Sequence, residues 1–278
     1  MRLSFYTYSY TDKLKLPVAE VLARVAKTGY AGIDESGTYG ASEDPQSVNP
    51  SRRIVIRETA AANKLRVEAI ITHAELTASL AEKKPLDLIG SVDLAADLGS
   101  PVVTFHLGGS QEKIPEKELW RKTVDHIKAA CTHGDMKHVK VAIDVGPWPT
   151  WIVKTSDDLM RLINDVGMDS FSINFDPCYL KVMGIDPVRF VKRFGKRLCH
   201  THLKDYVGEY PKFEHKIPGQ GKLDYAPILA ALAEEKFSGA LAIECFTFMK
   251  FEEACDVGYA TLTKAAAKAK VKFEPRPA

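Results

Sequence analysis

The chain has 278 residues, 45% of them hydrophobic, and 38 lysines and arginines against 36 aspartates and glutamates give a net charge of +2. That size and apolar fraction suffice for a large core, as two ordinary domains or one closed α/β barrel, and the mixed charge excludes the basic stripe of a nucleic-acid binder. Five cysteines, widely spaced and without CxxC pairing, argue against a disulfide framework or structural zinc and suit a reducing cytoplasm; no segment reaches the roughly 18–20 apolar residues of a membrane span.

Residues 3–8 read as a strand, followed by a helix that Pro17 opens, Val18, Val21, Leu22 and Val25 stripe, and Gly29 stops. A second strand over 31–35 leads through a polar loop to a helix over 51–63 and a β-branched strand over 65–72, with His73 and Glu75 just beyond it. The third helix is expected from about Pro85 to Leu98 and the fourth strand over 101–106. The fourth helix spans about 115–134 and the fifth strand 139–144. Thr155-Ser156-Asp157 caps the fifth helix, the sixth strand covers 171–176, and a short sixth helix covers about 186–194. Residues 197–205 form the seventh strand, 225–236 the seventh helix, 240–245 the eighth strand and 252–268 the last helix. Eight strand–helix units without a composition break predict a single (β/α)8 barrel. A doubly wound open sheet is disfavoured, because Tyr-Ser-Tyr-Thr-Asp and no Gly-rich phosphate loop follows the first strand.

In such a barrel the active site forms at the carboxyl ends of the strands. Polar residues gather there: Glu35, His73, His106, Asp144, Asp176, His202 and Glu244, while the amino ends show nothing comparable. Alternation also places His200, His202 and Lys204 on one face of the seventh strand. Singly, each has a plain structural reading, such as a cap, a turn opener or a satisfied core histidine. Together, three acids converging on one mouth would repel each other and take up protons unless a cation neutralised them. One divalent ion held by Asp144, Asp176, His202 and Glu244 is therefore expected. Three oxygens and one nitrogen favour Mn2+, Mg2+ or Co2+, with Zn2+ a further candidate.

The strand ends Ile143-Asp144, Asn174-Phe175-Asp176-Pro177, His200-Thr201-His202-Leu203-Lys204-Asp205 and Gly239-Ala240-Leu241-Ala242-Ile243-Glu244 carry a resemblance, together with the loop Pro218-Gly219-Gln220-Gly221-Lys222-Leu223-Asp224. In the same order and over nearly the whole chain, they resemble the xylose-isomerase-like sugar phosphate isomerase/epimerase family, which implies one TIM barrel domain over 1–278. In its keto-sugar epimerases the equivalent positions hold one divalent ion, and the acids of strands five and eight move protons. The resemblance implies those roles for Asp144, Asp176, His202 and Glu244. The chain departs from the family in having Asp144 where glutamate is usual and Tyr179 where many members carry histidine. Both changes imply an altered substrate or a different proton acceptor, for which Lys204, His106 and Glu35 are candidates. The apurinic endonucleases of the same superfamily are a poor match, because Tyr179 and Phe213 replace two expected metal ligands.

The expected chemistry is metal-assisted proton transfer beside the carbonyl of a keto-sugar or related polyol derivative. Glu244 is the first-choice base, Asp144 returns the proton, and Lys204 completes the catalytic set. Glu35, His73, His106, Tyr179, His200 and His215 are the expected substrate-binding residues, with Tyr6, Tyr8, Trp148, Trp151 and Phe246 as possible stacking surfaces. Loss of a β-hydroxyl would turn the same chemistry into dehydration, and a barrel that only binds a sugar is the non-enzymatic alternative. The expected partner is a small sugar, with neither nucleic acid nor membrane, and the Ala-rich last helix is a candidate homo-oligomer contact.

Overall fold

The structure is a computed structural model that describes residues 1–40, 42, 44–84, 86–109, 112–146 and 152–277. Eight strands close a parallel barrel: β1 (Arg2–Tyr6), β2 (Gly32–Ser36), β3 (Arg66–Glu75), β4 (Val102–His106), β5 (Lys140–Asp144), β6 (Phe171–Phe175), β7 (Leu198–Leu203) and β10 (Ala240–Ile243), which pairs back onto β1. Around it run α1 (Val18–Thr28), α2 (Pro50–Ala62), α3 (Leu76–Ala81), α4 (Leu88–Leu98), α5 (Glu116–Lys137), α6 (Ser156–Val166), α7 (Pro177–Val182), α8 (Pro187–Phe194), α9 (Tyr225–Glu234) and α10 (Phe251–Ala269). Among the described residues, no helix is long and apolar enough to cross a membrane.

Local chemistry explains the boundaries. Asn49, Thr155, Asp186 and Asp224 each accept a backbone N–H of the helix they precede, meeting donors the first turn leaves unpaired. In α6 the buried residues are Leu159, Leu162, Ile163 and Val166, the spacing of one helical face turned to the sheet. Pro85, the expected opener of the third helix, lies outside the described residues, and α4 starts at Leu88 behind an Asp87 cap.

Several elements were not expected, among them three beside the carboxyl ends of the strands. α3 and α7 are single short helices directly behind β3 and β6. A two-stranded antiparallel hairpin, β8 (Asp205–Glu209) and β9 (Lys212–Lys216), rises from the end of β7. The third strand also runs further than read, so His73 and Glu75 lie within β3 rather than beyond it.

Apolar strand residues such as Phe5, Ile33, Val103, Phe105, Ile143, Ile173, Leu241 and Ile243 form one continuous buried layer with the helices. A barrel interior is usually filled with bulky branched side chains. Here Ala69, Val102 and Ala142 form a small cluster of their own, and fully buried polar residues, Ser4, Asp34, Asn174, His200 and His202, occupy other strand positions. The amino ends are also not bare, correcting the sequence reading. Between β2 and β3 the register shifts at Ile33/Asp34 and leaves Glu68 as the extra residue. Its carboxylate accepts Arg2 Nε at 2.7 Å and Nη2 at 3.0 Å. A Cβ on Gly32 would lie 2.5 Å from Glu68 Cγ, so the glycine makes room for this pair.

Candidate active site

β7 carries the site. His200, His202 and Lys204 are all buried to 1% exposure or less, and alternation sends the three toward one interior. Lys204, just past the strand, places its ammonium between Asp176 Oδ2 and Glu244 Oε2 and hydrogen-bonds both. Asp176 has its other oxygen committed, since Oδ1 accepts Tyr179 N–H at 3.0 Å and caps α7. His202 Nδ1 lies 2.9 Å from Asp144 Oδ2 and 3.9 Å from Glu244 Oε2. The structure therefore links the four expected ligands through two centres, Asp144 and Glu244 beside the His202 imidazole and Asp176 and Glu244 on the Lys204 ammonium, without bringing the ligating atoms of any three of them within 4.8 Å of one another.

Asp34 escaped the sequence reading. Its Oδ1 accepts Ser4 Oγ–H at 2.8 Å and its Oδ2 lies 2.6 Å from His200 Nε2. His202 Nε2 points the same way, 3.9 Å from Asp34 Oδ2. Among the described residues, Asp34, His200 and His202 form the group whose ligating atoms all lie within 4.8 Å of one another. This buried Asp–His–His group has the donor chemistry to hold a metal ion.

Burial and charge set the protonation states. Burial alone would lower His202, but Glu244 and Asp144 outweigh it and hold the imidazole up at about 9. Burial alone would raise Asp144, yet His202 carries it well below the usual carboxylate range. Glu244 is lowered too: burial pushes up, and Lys204 and His202 pull further down. Asp176 is raised, because burial exceeds the pull of Lys204 and the neighbouring carboxylates Asp144 and Glu244 push the same way. Two buried atoms, Asp144 Oδ1 and His202 Nε2, have no hydrogen-bond partner, nor does either polar atom of the Asn174 amide. Three carboxylates, those of Asp144, Asp176 and Glu244, thus face one lysine and one protonated histidine. This negative excess, with an acid oxygen left over, fits a divalent cation.

The remaining expected residues form two walls. On one side, His73 stacks on Tyr8 with centroids 4.2 Å apart, and its Nε2 lies 3.0 Å from Ser36 Oγ and 3.4 Å from Tyr6 OH. His106 pairs in register with Glu75 and Asp144. Glu35 accepts Thr7 Oγ1–H at 2.7 Å and is raised to about 7 by burial. On the other side, the hairpin brings His215 against Phe246 (centroids 4.9 Å) and edge-on to Tyr179 (5.4 Å), and the Lys204 ammonium lies 4.4 Å from the Tyr179 ring centre. Trp148 and Trp151 lie outside the described residues.

A closed parallel barrel with buried acids and imidazoles at the carboxyl ends of its strands is thus the class of protein. The sequence model of the xylose isomerase-like TIM barrel family matches residues 22–265, and the chain belongs to that family. An inosose dehydratase of Lacticaseibacillus casei is 29% identical over 107 residues, covering 33% of this chain and 36% of that protein. An inosose isomerase of Bacillus subtilis (strain 168) is 24% identical over 161 residues, 56% of this chain and 58% of that protein. The matches to these relatives therefore span from about a third to under two thirds of their length. The crystal structure of an IolI protein with a bound zinc atom superposes with a TM-score of 0.77 at 19% identity, over 97% of this chain and 99% of that one, a likeness of fold.

Proposed function

We propose that this chain is a metal-dependent isomerase or epimerase that moves a proton next to the carbonyl of a keto-sugar or a keto-polyol of the inosose kind. The observation that carries the reading is the placement of two ionised carboxylates, Asp144 and Glu244, at 2.9 and 3.9 Å from the same His202 nitrogen. A divalent ion held by Asp144, Asp176, His202 and Glu244, with Mn2+, Mg2+ or Co2+ preferred and Zn2+ as alternative, would act as a Lewis acid on the carbonyl. Glu244, whose side chain keeps 12% exposure, is the acid of the four that reaches the pocket and takes the proton on its carboxylate. Asp144, after taking up a proton from solvent, delivers that proton to the substrate carbon from another direction, and its side chain, one methylene shorter than a glutamate's, limits which carbon it reaches. In the metal-free chain Lys204 hydrogen-bonds Glu244 and keeps it ionised. Tyr179, His73, His106 and His215 line the walls that hold the remaining hydroxyls and ring carbons, while His200 and Glu35 support the floor.

Dehydration is the second reading. The same abstraction of a proton beside the carbonyl, followed by loss of a β-hydroxyl as water, would give dehydration, and an inosose dehydratase is among the similar proteins. The test is incubation of the metal-loaded protein with inosose and a panel of ketohexoses in heavy water, followed by mass spectrometry. Deuterium in recovered sugar, reduced at least a thousandfold in Glu244→Gln, is the expected result, and a product lighter by one water selects dehydration. Wild-type protein that yields neither with any substrate of the panel defeats the proposal.

A further inference from the structure

Lys204 and the expected metal ion have the same partners. The ammonium is bonded to Asp176 and Glu244 and is 1% exposed, although burying a lysine is costly without paired charge. Both Asp176 oxygens already accept a hydrogen bond, Oδ1 from the α7 cap and Oδ2 from Lys204. A cation that binds Asp176 Oδ2 and Glu244 Oε2 therefore meets the Lys204 ammonium on the same two oxygens, and the like charges repel. The rest of the lysine is fixed: Tyr225 OH donates to its backbone oxygen at 3.0 Å, and the next residue, Asp205, is anchored by four backbone N–H groups. Only the flexible four-carbon stem is left to move. The rings of Tyr179 at 4.4 Å and Phe246 at 5.9 Å give the displaced ammonium aromatic faces on the substrate side.

We propose that Lys204 and a divalent ion are alternative occupants of the Asp176–Glu244 pair, so that loading the ion releases the Lys204 ammonium toward the Tyr179–Phe246 wall, where it meets the substrate. Lys204 is then a placeholder that keeps two buried acids neutralised in the metal-free chain. In the loaded chain it is a hydrogen-bond donor to substrate oxygen. This rests on the metal assignment above, and the two fail differently.

The first test is a chelator-competition titration of Mn2+ and Zn2+ into wild type and Lys204→Met. Removing the competing charge is expected to tighten binding at least tenfold. The second uses wild type alone and needs no variant to fold: acetylation of lysines by an N-hydroxysuccinimide ester, read residue by residue by mass spectrometry with and without Zn2+. Lys204 is expected to label at least fivefold faster with the ion present, while surface lysines such as Lys268 do not change. Binding that is unchanged or weaker in Lys204→Met overturns the exchange and leaves the metal site standing, as does Lys204 labelling that zinc leaves unchanged or slows. Absence of binding in wild type and variant alike overturns both.

Discussion

The side chain that holds the site's outer loop in place is Asp205, and its removal gives a sharp prediction. It is fully buried. Its Oδ1 accepts the N–H groups of Tyr206 (2.9 Å) and Leu223 (3.0 Å), and its Oδ2 those of Gly219 and Gly221 (both 3.0 Å). Hydrogen bonds to a charged acceptor contribute about 1.5–3 kcal/mol each, but they are not additive. Gly219 and Gly221 lie in an exposed loop, so water takes up part of what they lose. Asp205→Ala is therefore expected to cost about 3–4 kcal/mol. Asp205→Asn should recover little of this, because its amide nitrogen would face two backbone donors; a cost of about 2–3 kcal/mol is expected. Urea unfolding followed by circular dichroism, with wild-type m-values, measures both. An Asn variant within about 0.5 kcal/mol of wild type would refute the reasoning, since the four-donor cradle requires an acceptor at both positions.

Glu35, held up at about 7 against an ordinary 4.5, keeps its proton more tightly folded than unfolded, so its ionisation penalises the fold increasingly as pH rises from about 4.5 through 7. Glu35→Gln should leave stability at pH 4.5 unchanged and raise it by about 2–3 kcal/mol at pH 8; parallel stability curves for the two proteins across that window would count against it. At the opposite end of the barrel, Arg2→Met strips a bidentate partner from Glu68, whose side chain is 3% exposed, and should cost about 3 kcal/mol in thermal or urea unfolding. A double variant with Glu68→Gln should recover part of that loss.

The eight-unit architecture was legible because each helix carries an apolar face and a stop or cap, and each strand a short apolar run. The candidate ligands were legible because a polar residue closing an apolar strand stands out. Asp34 was missed for a related reason: Glu35 beside it closes the strand and drew the assignment. Strand parity held the signal, since Ser4, Asp34 and His200 share the alternation of Tyr6, Ser36 and His202, all of which meet inside the site. The hairpin of β8 and β9 left little trace, because Val-Gly-Glu-Tyr-Pro-Lys-Phe-Glu-His-Lys lacks alternation of apolar and polar residues and reads as a charged loop. The position of Lys204 was illegible for a different reason. Whether a lysine after a strand is solvated or buried depends on where acids from two other strands end, and sequence spacing does not encode that distance.

The hairpin bears on how such a protein diversifies. It is closed by its own antiparallel register from Asp205↔Lys216 to Glu209↔Lys212, and its base is tied by one carboxylate to the following loop. Its members Phe213 and His215 pack against the rings of Tyr179 and Phe246. Replacing this one cassette would change the wall that Phe213 and His215 form with Tyr179 and Phe246 while leaving the strand-end acids and imidazoles in place. Under the proposed function, that part of the substrate wall and the groups that would move protons then lie on separate stretches of chain.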